Sequence, residues 1–157
     1  MPTRRLNHTM FRIRDPKVSL KFYTEILGME LLAEHPGGDF TNYFLAFPQE
    51  GVDYSKMSKE EKSKSKFGRE GVLELCHNWG TESDPEFKGY ANGNSDPGRG
   101  FGHICYTADS LEDEVARLIE LGVPFKKRPE DGKMKNIAFI LDPDGYWIEL
   151  ISHNIQL

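Results

Sequence analysis

The stretch LNHTMFRIRDPKVSLKFYTEILG, residues 6–28, sets the fold, because the chain repeats its plan in GHICYTADSLEDEVARLIELG, residues 102–122. Leu6 to Arg14 alternates as a strand does. Asp15-Pro16 then offers a helix cap and a proline at the first helical position. Val18, Leu20, Tyr23, Ile26 and Leu27 form a helical stripe, and Gly28 closes it. In the second copy Ser110 is the cap, and Leu111, Val115, Leu118 and Ile119 recur at helical spacing before Gly122.

Each copy continues alike. Asn42–Phe47 (NYFLAF) matches Asn136–Leu141 (NIAFIL), and Val72-Leu73-Glu74-Leu75 matches Trp147-Ile148-Glu149-Leu150. Asp142-Pro143-Asp144-Gly145 is a turn that makes a hairpin of the last two strands. The order predicts an α+β chain of two β-α-β-β-β modules, about residues 6–80 and 99–154, within one domain spanning 1–157. Two segments break the symmetry. Tyr54–Glu70, rich in lysine, serine and glutamate, reads as a solvated loop with at most a helical turn and no chemical role. Residues 81–99, rich in glycine, asparagine and aspartate, read as a connector.

Composition narrows the function classes. The 157 residues carry a net charge of −5, unlike a general nucleic-acid binder, and contain no apolar run long enough to span a membrane. The opening MPTRRLNHTM lacks a signal-peptide core, so the cytoplasm is the expected location. Asn7-His8-Thr9 matches a glycosylation pattern, which without a secretory signal reads as chance. Cys76 and Cys105 sit in strand-like runs and read as reduced core thiols.

The repeat turns four ordinary residues into a set. His8 and His103 head the first strands of the modules, and Glu74 and Glu149 lie in the last strands. A lone strand histidine is usually structural, and a lone glutamate usually faces water. A matched quartet of two imidazoles and two carboxylates suits one divalent borderline cation such as Zn²⁺ or Ni²⁺. Arg12 and Asn78 share strand faces with His8 and Glu74, so a cation and an amide border the site. His77 has the opposite parity and should face away; His35 and His153 lie outside the matched set.

In HTMFRIRDPKVSLKFYTEILGM, LELCHNWGTE, NGNSDPGRGFGHI and KNIAFILDPDGYWIEL, the chain resembles the glyoxalase I (lactoylglutathione lyase) family over nearly its whole length. The resemblance implies the vicinal oxygen chelate fold, with curved mixed sheets forming an open barrel around the metal. It implies His8, Glu74, His103 and Glu149 as ligands, with Glu149 the principal base and Glu74 its counterpart. It further implies that Arg12, Asn78, Arg99 and Lys127 hold glutathione, and that Phe40 and Phe44 line an apolar pocket. The reaction implied is isomerisation of the methylglyoxal–glutathione hemithioacetal to S-D-lactoylglutathione through an enediolate. Zinc is favoured, with nickel the alternative. A homodimer with its active site at the subunit interface is expected, or else one half of a tandem enzyme. Asn42 departs from the leucine of comparable relatives and bears on which aldehydes fit. The competing readings are a metal-dependent extradiol-type dioxygenase and a metal-free small-molecule-binding protein on the same fold.

Overall fold

A computed structural model of the chain describes residues 4–154; residues 1–3 and 155–157 of the expected span lie outside the described residues. The chain divides into two compact units between Tyr90 and Ala91, inside the expected connector. In the first unit, β1 (His8–Ile13), β2 (Glu30–Pro36), β3 (Phe40–Ala46) and β4 (Val72–Asn78) form a mixed sheet of order β1-β4-β3-β2. In the second, β5 (His103–Ala108), β6 (Phe125–Lys127), β7 (Ala138–Leu141) and β8 (Trp147–Ser152) repeat it as β5-β8-β7-β6. In both, the first strand runs parallel to the last and the other pairings are antiparallel. Each unit is the predicted β-α-β-β-β module.

Alternation decides which face of each sheet is buried. On β1 and β4, Phe11, Ile13, Leu73 and Leu75 are buried, while His8, Met10 and Arg12 are exposed. Register places Met10 beside Glu74 and Glu74 beside Phe44, so Met10, Glu74 and Phe44 share the opposite face. On β8, Ile148 and Leu150 are buried with Ile140 and Ala138 of β7, leaving Trp147 and Glu149 on the other face. A buried Leu or Ile is worth about 1.5–3 kcal/mol, so each module's fold follows from its apolar faces.

The first helix departs from a regular stripe. Asp15 caps α1 (Pro16–Lys21), accepting from the Lys17 N–H at 2.8 Å. The chain then widens into a π turn over Phe22–Ile26, with Leu27 N–H donating to Phe22 O. The buried residues are Ser19, Phe22, Tyr23 and Leu27, a helical stripe centred one position round from the expected one, which leaves Val18 exposed. The segment Tyr54–Glu70 is mostly exposed, as expected, but it is more ordered than a loop with one helical turn. It holds a 3₁₀ turn at Tyr54–Lys56, the helix α2 (Lys59–Ser65) and a second 3₁₀ turn at Lys66–Gly68. A helix of seven residues is marginal alone. Ser58 and Glu61 close a capping box on it, and Lys62 bonds Glu30 of β2 at 3.1 Å. Tyr54, Lys66 and Arg69 are buried. Arg69 donates to Tyr54 Oη at 2.7 Å and to the Phe47 carbonyl, tying the segment to the end of β3. Its polar composition is compatible with docking because long amphipathic side chains bury their stems.

In the second unit Ser110 caps α3 (Leu111–Glu120) as predicted, and Val115 and Leu118 are buried, although Ile119 is exposed. Asp142 Oδ1 accepts from Asp144 and Tyr146 N–H, and Gly145 takes φ 83°, which completes the predicted turn.

Candidate metal centre

The neighbouring parallel strands β1 and β4 bring His8 to Glu74, with Nε2 3.1 Å from Oε2. The strands β5 and β8 do the same in the second unit, where His103 Nε2 lies 3.2 Å from Glu149 Oε2. The histidines are about two-fifths exposed, whereas the glutamate side chains are only 12% and 20% exposed. A carboxylate that is mostly withdrawn from water needs a compensating cation or donor. Among the described residues no group of three or more His, Cys, Asp and Glu forms a cluster; the predicted ligands come as two matched pairs, one in each unit.

The hydrogen bonds around His8 set its tautomer. Asn7 donates both protons of Nδ2, to Lys66 O and Arg69 O, each at 2.8 Å. Its Oδ1 is therefore the atom that meets His8 Nδ1 at 2.9 Å, and an oxygen there requires Nδ1 to carry the proton. With Nδ1 so engaged, Nε2 is the ring atom turned to the Glu74 carboxylate oxygen, 3.1 Å away, where a cation, proton or metal ion, joins the two. Ligands at about 2.0–2.2 Å from one ion, at a right to tetrahedral angle, stand about 2.9–3.5 Å apart. Both pairs fall in that window, so the residues fit a borderline divalent ion. Asn7 entered the sequence reading only through a chance glycosylation pattern; the signal for its role was an amide immediately before the strand histidine.

Glu74 has a second partner. Asn42 Nδ2 donates to its Oε1 at 2.6 Å. Phe44, across the ladder from Glu74, sets its ring edge to face 6.0 Å from His8 and 5.6 Å from His35. Phe44 is buried in a cluster with Leu32, Ala33, Ala46, Tyr54 and Val72, and the buried Lys66 ammonium lies 5.3 Å from its ring. Phe40 is half-buried and covers Gly37, where an added Cβ would meet its ring at 2.5 Å.

The remaining predicted residues are placed as follows. Arg12 is exposed on the His8 face of β1, and its charge acts on the buried Cys76 thiol. Asn78 ends β4, its Oδ1 accepting from Tyr90 Oη at 3.4 Å. Arg99 is exposed and pairs with Asp96 at 3.1 Å. Lys127 Nζ donates to the carbonyls of Arg128, Met134 and Ile137, so its three protons pin a loop. His77 faces away as parity required: it is 5% exposed and meets Glu82 at 2.7 Å.

Cys105 corrects the expectation of two core thiols. Both cysteines are free, but only Cys76 is buried; Cys105, two residues past His103, shares that residue's face and is exposed. Desolvation of its sulfur and the adjacent Glu149 carboxylate push the thiol up to about 11, so it stays protonated, and it donates to the Tyr106 carbonyl at 3.8 Å.

Residues 5–150 match the model of the Glyoxalase/Bleomycin resistance protein/Dioxygenase superfamily. A lactoylglutathione lyase of Schizosaccharomyces pombe is 51% identical over 98% of this chain and 49% of its own length. One from Pseudomonas aeruginosa is 49% identical over 96% of this chain and 83% of its own. The solved structure of a trypanothione-dependent glyoxalase I from Leishmania major superposes with a TM-score of 0.68 at 29% identity, over 96% of this chain and 87% of that one. The chain spans about half the length of the yeast relatives it matches. With the repeated module and this extent of likeness together, the chain belongs to the Glyoxalase/Bleomycin resistance protein/Dioxygenase superfamily.

Proposed function

We propose that the chain is a metal-dependent lactoylglutathione lyase, converting the methylglyoxal–glutathione hemithioacetal to S-D-lactoylglutathione. The observation that carries this reading is the pair of matched His–Glu couples, His8 with Glu74 at 3.1 Å and His103 with Glu149 at 3.2 Å, each on a first and last strand. The likeness to the lyases of Pseudomonas and the fission yeast supports it. His8, Glu74, His103 and Glu149 hold one cation, zinc in preference to nickel. Each couple supplies half of a four-ligand shell, and we assign the halves that meet to different subunits of a homodimer. Small-molecule chemistry with glutathione suits the cytoplasm, where thiols stay reduced, and both cysteines are free.

A divalent ion held there supplies Lewis-acid polarisation of the two adjacent substrate oxygens. Glu149 removes the proton from the carbon bearing sulfur and returns it to the neighbouring carbon, while the hydroxyl proton passes from the oxygen of the first carbon to that of the second. The hemithioacetal thus becomes a thioester with no external oxidant, reductant or organic cofactor. Glu74 serves as the counterpart on the other side of the substrate. Arg12, Asn78, Arg99 and Lys127 bind the glutathione moiety, and Phe40 and Phe44 border the aldehyde-derived substituent.

The test is to strip the protein with a chelator, add methylglyoxal and glutathione, and follow thioester absorbance before and after restoring zinc or nickel. Thioester is expected only after metal is restored. Full turnover in excess chelator, or none with either metal, overturns the reading.

A further inference from the structure

The two modules repeat the His–Glu couple but do not hold its carboxylates alike. Glu74 Oε1 accepts from the Asn42 amide at 2.6 Å while Oε2 faces His8. Asn42 stands two residues before Phe44, which lies opposite Glu74 in the ladder. In the second module Phe139 lies opposite Glu149, so the ladders equate Asn42 with Ile137, one position later than the matched runs Asn42–Phe47 and Asn136–Leu141 had set it, and the Ile137 side chain has no donor. Beside Glu149 in the parallel ladder stands instead the thiol of Cys105, much the weaker kind of donor and turned to the Tyr106 carbonyl at 3.8 Å. The position of Cys105, two residues past its histidine, is occupied in the first module by Met10.

Asn42 also sits at a cost. Its Oδ1 is buried and has no hydrogen-bond partner among the described residues, although its Nδ2 is engaged. The reverse amide orientation would set an oxygen against Glu74 Oε1 at 2.6 Å, so the assignment follows from chemistry. An amide satisfied only towards Glu74 is a poor choice for packing alone, since a hydrocarbon of that size would leave no buried acceptor unpaired.

We infer that Asn42 is a positioning residue that holds the Glu74 carboxylate in the orientation that presents Oε2 to His8 and to a cation bound there. This rests on the metal-site reading above. A charge-assisted bond to one carboxylate oxygen restricts rotation about the Glu74 side chain and presents Oε2 towards His8. Outer groups that orient a ligating carboxylate are typically worth about 10–100-fold in metal affinity. The orientation of Glu74 is thus set from the neighbouring strand β3.

The experiment measures Zn²⁺ affinity of chelator-stripped protein by calorimetric titration for wild type, Asn42→Leu, Asn42→Ala, Asn42→Gln and Glu74→Ala. Melting of the metal-free proteins and separate kcat and KM values accompany it. Asn42→Leu is expected to weaken Zn²⁺ binding about 10–100-fold while the metal-free protein melts no lower than wild type. kcat should fall with KM little changed, and Asn42→Gln, which restores an amide, should recover most of the loss. Asn42→Ala, which cannot overpack the site, should show the same loss of affinity and takes the place of the leucine variant if that one does not fold. Wild-type affinity in both the leucine and alanine variants, with Glu74→Ala weakened, overturns the role of Asn42 alone. Equal, absent binding in wild type and Glu74→Ala overturns the metal site and this inference with it.

Discussion

Replacing Asn7 separates two tasks that one side chain performs at the mouth of β1. Its Nδ2 donates at 2.8 Å to each of Lys66 O and Arg69 O, and its Oδ1 holds the Nδ1 proton of His8 at 2.9 Å. In Asn7→Ala all three bonds go. Two backbone bonds at about 1 kcal/mol each amount to about 2 kcal/mol of stability. For a chain of this size that corresponds to a melting point lower by roughly 4–8 °C. Loss of the third bond frees the imidazole to adopt the other tautomer and to rotate, which should weaken Zn²⁺ binding about 10–100-fold. Asn7→Asp is the discriminating variant. It keeps an oxygen opposite His8 Nδ1 but sets the other oxygen against two carbonyls. Its melting point should fall at least as far as that of the alanine variant, while its Zn²⁺ affinity stays near wild type. Differential scanning calorimetry on metal-free protein and zinc titration on the same samples measure the two effects. If Asn7→Asp loses as much affinity as Asn7→Ala, or Asn7→Ala loses none, the tautomer argument is wrong.

Glu149→Gln should preserve fold and bind zinc, yet lose about 10²–10⁴-fold in kcat, the usual worth of a general base; undiminished turnover removes Glu149 from the proton path. The acid limb of stability should reflect Glu114. Hydrogen bonding from Arg117 at 2.7 Å holds its carboxyl below the ordinary 4.5, with Tyr106 Oη donating to it at 2.6 Å. A depressed folded value means stability that is present above about pH 4.5 and lost as pH falls through the lowered value. Urea melts of wild type and Glu114→Gln should therefore converge as pH drops below that point; a difference that persists unchanged to lower pH contradicts the assignment.

The order of elements was legible because alternation and helical spacing are local. Asp15-Pro16, Ser110 and Asp142–Gly145 act through bonds within a few residues, and each adopts the predicted cap or turn. His8, Glu74, His103 and Glu149 stood out because the repeat placed each type twice, and strand parity rightly turned His77 away. Other features were not local. Packing decided which side of the first helix is buried, Ser19 with Phe22 and Tyr23 rather than Val18, and the polar segment 54–70 gained structure only by docking against β2 and β3. The exposure of Cys105 followed from its sharing a face with His103, which an apolar-looking run concealed.

From the residues alone came the doubled module and the identity of the two imidazoles and two carboxylates. Hydrophobic period and turn chemistry operate along the chain, so a linear reading captures them. Only the folded units decided that Nε2 and Oε2 meet, and that Asn7 orients the first imidazole and Asn42 anchors the first carboxylate. Those bonds join residues 32 to 66 positions apart, or depend on such a bond for their orientation. Their geometry arises from strand register and docking, which no single stretch of sequence contains.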